Sequence, residues 1–300
     1  EYKETSVVKD IINRVRTDGD KALIEISKTF EEDIGDLELT EKEIQNCISR
    51  ISSETKDFMK KAIKNVRRFA ESQLACIKEL EHTNKLGLTL GHKIIPIKRV
   101  GAYVPGGNYP LPSSAIMNVI PAKVAGVKEV IVCSPKIHDV TVTAAYLSGA
   151  DRIYRVGGAQ AIAAMAYGTN SIPQVDKITG PGNKYVTQAK KEVYGKCGID
   201  FIAGPSEIMI VADDTSNPHF IAADLLSQAE HDPDSSSILI TSSKKLAKTV
   251  FDQVYIQLEK FETKEIAKKA LSNSFIIIVD SLDQAITIAN KKAPEHLEIC

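Results

Sequence analysis

Two short segments carry residue types that can bind a metal and move protons. One reads Ser227-Gln228-Ala229-Glu230-His231-Asp232 and the other Pro294-Glu295-His296-Leu297. The chain has six histidines in all, so two of them beside such partners are informative. Gln228 and His231 are three apart and share a face if the segment is helical. Imidazole suits zinc, and an amide oxygen is an uncommon ligand for it. The competing reading is a polar helix end with a solvent-facing His231. Glu295 and His296 offer two bases of different strength, fit for one to activate water and the other to shuttle protons. A surface Glu-His pair has the same sequence. A closed zinc site takes about four ligands, or three plus water, so Gln228 and His231 alone are too few.

Glycine turns form a second group of candidates. After the apolar run Asp151–Val156 the chain reads Gly157-Gly158-Ala159-Gln160, and after Lys177-Ile178-Thr179 it reads Gly180-Pro181-Gly182-Asn183. A strand, a glycine turn and a helix start leave free N–H groups at a positive helix end, which suits phosphate. Neither turn matches G-x-G-x-x-G, so tight packing turns remain an equal reading. Val100–Pro110 reads as a rigid loop bearing Tyr103 and Tyr109, able to wrap a planar ring or to link domains. Gly204-Pro205-Ser206-Glu207 lacks a nucleophile elbow, which leaves Ser206 as a substrate hydrogen-bonder or a turn residue. His82, His92, His138 and His219 stand alone and read as structural or exposed.

The elements that must position these groups follow from periodicity. Residues 1 to about 80 read as helices, with an apolar stripe Val7, Val8, Ile11, Ile12, Val15 and a capping box at Thr40–Glu43. The run Lys60–Arg68 reads as a solvated helix face above Met59, Ile63, Val66 and Phe69. After Leu86, apolar strands at 128–132, 151–156, 207–212, 237–241 and 274–279 alternate with helices. The helices are expected at 113–126, 141–148, 160–167, 184–194, 219–230 and 244–261. That alternation predicts an α/β fold with largely parallel sheets and a helical N-terminal segment.

Composition narrows the function classes. The 300 residues are 43% hydrophobic and 26% charged with net charge -1. A packed core is expected, and nothing favours nucleic acid or an anionic membrane as partner. Five cysteines without a C-x-x-C spacing fit reduced thiols in a cytoplasmic protein. There is no signal peptide or membrane-length apolar run. The chain starts without Met and stops after a strand-like Leu297-Glu298-Ile299, so the reading expects trimming at both ends.

Taken in order and spacing, Tyr103–Gly107, Gly157–Ala161, Gly180–Val186, Gly204–Glu207, Gln228–Asp232 and Ala293–Leu297 resemble histidinol dehydrogenases. The likeness runs from the first helices to Cys300. It implies a zinc-dependent, NAD-linked oxidation of L-histidinol to L-histidine through an aldehyde-level intermediate. It implies NAD binding by Tyr103, Gln160 and Asn183, with substrate contacts from Ser206, Gln228, His231 and His296. Zinc ligation falls to Gln228 and His231, and catalysis to Glu295 and His296. It also implies two domains with incomplete Rossmann-like sheets. One, residues 103–206, binds NAD and is inserted into the other, residues 1–102 with 207–300. A homodimer is expected whose further zinc ligands, an Asp and a His, lie past Cys300, the His on a swapped C-terminal tail. The rivals are a related dehydrogenase of another alcohol and a non-catalytic scaffold. On this reading residues 1–300 alone bind zinc weakly and turn over little histidinol. Stoichiometric zinc by mass spectrometry together with robust NADH formation from that chain would refute this expectation.

Overall fold

The computed structural model describes residues 2–29, 35–106, 110–202 and 206–300. Contacts divide the chain into two compact units, residues 1–202 and 203–300. Among the described residues, the first unit opens with four helices: α1 (Tyr2–Asp18), α2 (Asp20–Thr29), α3 (Glu41–Arg50) and α4 (Ser53–Ala75). A hairpin follows, β1 (Leu80–Thr83) and β2 (Thr89–His92), and then alternating elements. These are β3 (Arg99–Tyr103), α5 (Pro112–Val124), β4 (Glu129–Cys133), α6 (Asp139–Ser148), β5 (Arg152–Tyr154), α7 (Gly158–Tyr167), β6 (Lys177–Thr179), α8 (Lys184–Val193) and β7 (Gly198–Ile199). The expected capping box is present: Thr40 caps α3, its hydroxyl accepting from the Glu43 N–H while the Glu43 carboxylate accepts from the Thr40 N–H.

The sheet of this unit runs β5-β4-β3-β6-β7, parallel throughout. Side chains alternate across it, and both faces are covered. Ile131 and Cys133 of β4 join the core under α1, α7 and α8. Val130 and Val132 of the same strand join the core under α3, α5 and α6. All four are fully buried, which explains why β4 reads as an unbroken apolar run.

The segment 100–110, expected as a loop, instead begins as the central strand. Gly101 accounts for the difference. A Cβ there would stand 2.4 Å from the Met165 Sδ of α7, so the close helix–strand approach calls for a glycine where a strand usually has a branched residue. Tyr109 and the other residues of 107–109 lie outside the described residues. On α4, Met59 is buried as expected but Phe69 is 67% exposed.

The second unit contains β8 (Glu207–Ala212), α9 (Pro218–Ala229), β9 (Ser236–Thr241), α10 (Lys244–Leu258), α11 (Lys264–Leu271), β10 (Phe275–Ile278), α12 (Leu282–Lys292) and β11 (His296–Ile299). Its sheet is also parallel, in the order β10-β9-β8-β11. Ile208, Ile210 and Leu239 pack beneath α9, α10 and α11. Met209, Val211, Ile238 and Ile240 pack beneath α12. The fold is therefore α/β with two parallel sheets. Among the described residues no helix is long and apolar enough to cross a membrane.

Gly180 combines close backbone crowding with a left-handed conformation. It follows β6 at φ +112°, and a Cβ would lie 2.0 Å from the Tyr103 carbonyl oxygen. Gly195 also has positive φ, +94°, but opens onto empty space. Gly180→Ala is expected to destabilise the protein by about 2–4 kcal/mol, from strain plus backbone displacement. Gly195→Ala carries the backbone strain alone, about 1 kcal/mol. Urea unfolding of the two variants measures the difference, and equal losses would remove the crowding argument.

Candidate active site

In an open parallel sheet, ligands bind outside the carboxyl ends of the strands, where the strand order reverses. In the first unit that point lies between β3 and β6. Tyr103 closes β3 and is 3% exposed. Its hydroxyl accepts from the Gly158 N–H at 3.1 Å, so the β3 end is tied to the start of α7. Gln160 sits in the first turn of α7, also 3% exposed, with its Oε1 close to the Gly158 backbone. Gly158 takes φ +65°, a turn that folds the chain from β5 into α7.

Asn183 caps α8 after β6. Its Oδ1 accepts from the N–H groups of Tyr185 and Val186, both at 3.1 Å. That leaves the Asn183 amide NH2 as the donor available to a ligand. Tyr103, Gln160 and Asn183 thus lie at the carboxyl edge of one sheet, on elements that leave β3, β5 and β6.

The second unit uses the opposite edge of its own sheet. Ser206 directly precedes β8, and its carbonyl accepts from the Ser236 N–H at the start of β9, 3.1 Å away. His296 opens β11 and pairs with Ile208 of β8. Glu295 precedes it, and its carboxylate lies 4.0 Å from the His296 Nε2. Gln228 and His231 lie at the end of α9, on the way back to β9. All five expected residues of this unit therefore collect at the amino edge of its sheet. Turns before strands, rather than loops after them, carry the group.

Local geometry suits His231 to a metal. Its Nδ1 is 2.6 Å from the Ser227 carbonyl oxygen. A carbonyl only accepts, so Nδ1 carries the hydrogen and Nε2 keeps its lone pair, as metal-binding imidazoles commonly do. Gln228 is 8% exposed, and its amide makes no hydrogen bond among the described residues. Its amide atoms are not among the buried side-chain N and O atoms that lack a partner, so they reach solvent and stand open to a ligand. No group of three His, Cys, Asp or Glu able to hold a metal occurs among the described residues. The fit to zinc therefore rests on these two donors.

Four neighbours went unread in the sequence. Glu207 binds the approach to the Glu295-His296 pair: its carboxylate accepts from the Glu295 N–H at 3.3 Å and pairs with Lys292. Ala293, between α12 and Pro294, takes the left-handed conformation, φ +50°, a strained state for a residue with a Cβ. Asp224 precedes Gln228 by one turn of α9. Burial, then the Asp224 charge, pushes the Glu298 carboxyl above its ordinary range, while His296 pulls it down. Asp224, Glu298 and His296 are therefore electrostatic neighbours. The only signals for them were spacings, i−4 from Gln228 and i+2 from His296.

Cysteine chemistry is not part of this arrangement. All five cysteines are free, and burial pushes the Cys197 thiol up to about 11.

Comparison with known proteins is consistent along the chain. A family model described as histidinol dehydrogenase matches residues 1–300. The histidinol dehydrogenase of Clostridium acetobutylicum is 48% identical over 299 residues, which cover 97% of this chain and 69% of that protein. The one from Aquifex aeolicus is 47% identical over 305 residues, 100% of this chain and 70% of that protein. The crystal structure of histidinol dehydrogenase from Elizabethkingia anophelis matches with a TM-score of 0.93 at 38% identity, over 98% of this chain and 69% of that one. The chain belongs to the histidinol dehydrogenase family and is an oxidoreductase.

Proposed function

We propose that the protein carries out the zinc-dependent, NAD-linked, four-electron oxidation of L-histidinol to L-histidine, the last steps of histidine biosynthesis. Family membership supports the reaction, and the His231 geometry carries the metal assignment. Tyr103, Gln160 and Asn183 would hold NAD, within the proposed nucleotide-binding segment 103–206; when bound, it supplies the hydride acceptor. Gln228 and His231 would hold zinc; when bound, it supplies a Lewis-acid anchor for the imidazole and amine of histidinol. A cytoplasmic homodimer, with the remaining zinc ligands supplied beyond these two donors, completes the reading.

The roles of the chain's own groups follow from their chemistry. His296 accepts the hydroxyl proton of histidinol as the carbinol hydride departs. Its ring, at the first residue of β11, is held in register by the ladder to β8. The resulting aldehyde must be hydrated before a second hydride can leave. Glu295, as carboxylate, takes a proton from the attacking water. His296 then accepts the hydroxyl proton of the hydrate in the second oxidation. Ser206 contributes a hydroxyl that can hydrogen-bond the substrate at the same edge. Holding substrate and base in one geometry removes much of the entropic barrier.

Two measurements test this reading. His296→Asn should lower the rate of NADH formation from both histidinol and the aldehyde by about 10²–10⁴-fold, the usual worth of a positioned base. Glu295→Gln should spare the first NADH of a single turnover and slow the second. Near-normal steady-state rates in both variants would remove the assigned roles. Separately, His231→Asn and Gln228→Ala should each weaken zinc binding by at least about tenfold, read as metal content after dialysis against a chelator. Unchanged zinc in both would place the metal elsewhere.

A further inference from the structure

One charged side chain is almost fully buried and takes no part in the proposed chemistry. Lys190 is 4% exposed, on α8, two turns beyond Asn183. It shares the inner face of that helix with Val186, Ala189 and Val193. An ammonium so placed must be paired and hydrogen-bonded. Lys190 pairs with Asp200, which follows β7. Its Nζ also donates to the Gly180 carbonyl at 3.0 Å. Asp200 completes the circuit: its Oδ2 accepts from the Gly180 N–H at 2.8 Å and its Oδ1 from the Phe201 N–H at 2.8 Å.

Both backbone groups of a single glycine are thus held by the two halves of one ion pair. That glycine opens the turn Gly180-Pro181-Gly182-Asn183 at the point where the strand order reverses. The far end of the turn is fixed by the Asn183 cap on α8. An ion pair in such a place contributes little net stability compared with an apolar pair of similar volume. It does select one backbone conformation out of several.

We propose that Lys190 and Asp200 are positioning residues for the nucleotide. The pair clamps Gly180 in its positive-φ conformation, and through the turn it sets where the Asn183 amide stands. This inference rests on the reading of that edge as the NAD site.

The test is NAD+ binding by titration calorimetry to the full chain, with thermal unfolding followed in parallel. The variants are Lys190→Met and the double variant Lys190→Met/Asp200→Asn, which leaves no unpaired buried charge. The double variant should unfold near the wild-type temperature yet bind NAD+ about 10–100-fold more weakly, the scale expected when a binding group shifts by about 1 Å. In turnover, KM for NAD+ should rise while kcat at saturating NAD+ stays near wild type. A folded double variant with unchanged NAD+ affinity would overturn the proposal. So would failure of both variants to fold, because the pair would then be a determinant of the fold. Absence of NAD+ binding by the wild-type chain would overturn the nucleotide reading itself, a distinct result.

Discussion

Parallel strand pairing is the constraint from which the rest of this structure follows. Two parallel neighbours cannot be joined by a tight turn, so every connection must cross the sheet, usually as a helix. Each crossing leaves one junction at the carboxyl edge and one at the amino edge. In the first unit the candidate residues follow strands β3, β5 and β6. In the second they precede β8, β9 and β11, or end the helix that returns to β9. The same pairing therefore yields two kinds of site. Junctions after strands present helix N-termini and free N–H groups, which suit a phosphate-bearing cofactor. Junctions before strands present helix ends and side chains, here an imidazole, an amide and a Glu-His pair.

Electrostatics at the second unit's edge fit proton and metal chemistry rather than nucleophilic catalysis. The Ser227 carbonyl fixes the His231 tautomer, leaving one lone pair directed away from the helix. Asp224 and His296 act on the Glu298 carboxyl in opposite directions, the first raising it and the second lowering it. Glu207 acts on the backbone instead. By accepting from the Glu295 N–H and pairing with Lys292, it holds the strained junction at Ala293. Strain of this kind persists only where the surroundings over-determine it. Here the α12 cap, Pro294 and the β11 ladder supply that determination.

Much of the fold was legible because its signals are local. The fully buried run Val130–Cys133 reads as a strand, and Thr40 with Glu43 reads as a helix start, because each rests on neighbouring residues. The central strand β3 was not legible. Its Gly101 is set by the approach of Met165, a contact between residues far apart in sequence. The hairpin β1–β2 was missed for the opposite reason: all eight of its residues are exposed, so no buried face imprints an alternating pattern. For the site, residue types and order sufficed to name candidates. Their environment did not follow from the sequence, because the partners of Gly180 and Glu295 lie twenty and eighty-eight residues away.

The Gln228–His231 pair shows why context decides such cases. Three-residue spacing on a helix is common and carries little information alone. One fact raises it: an imidazole whose Nδ1 is already bonded to a backbone carbonyl, which leaves Nε2 for a ligand. In the proposed reaction zinc, held in part by Gln228 and His231, would serve first to orient the substrate. In that proposal base chemistry comes from elsewhere on the same edge, where the parallel ladder puts the Glu295-His296 junction.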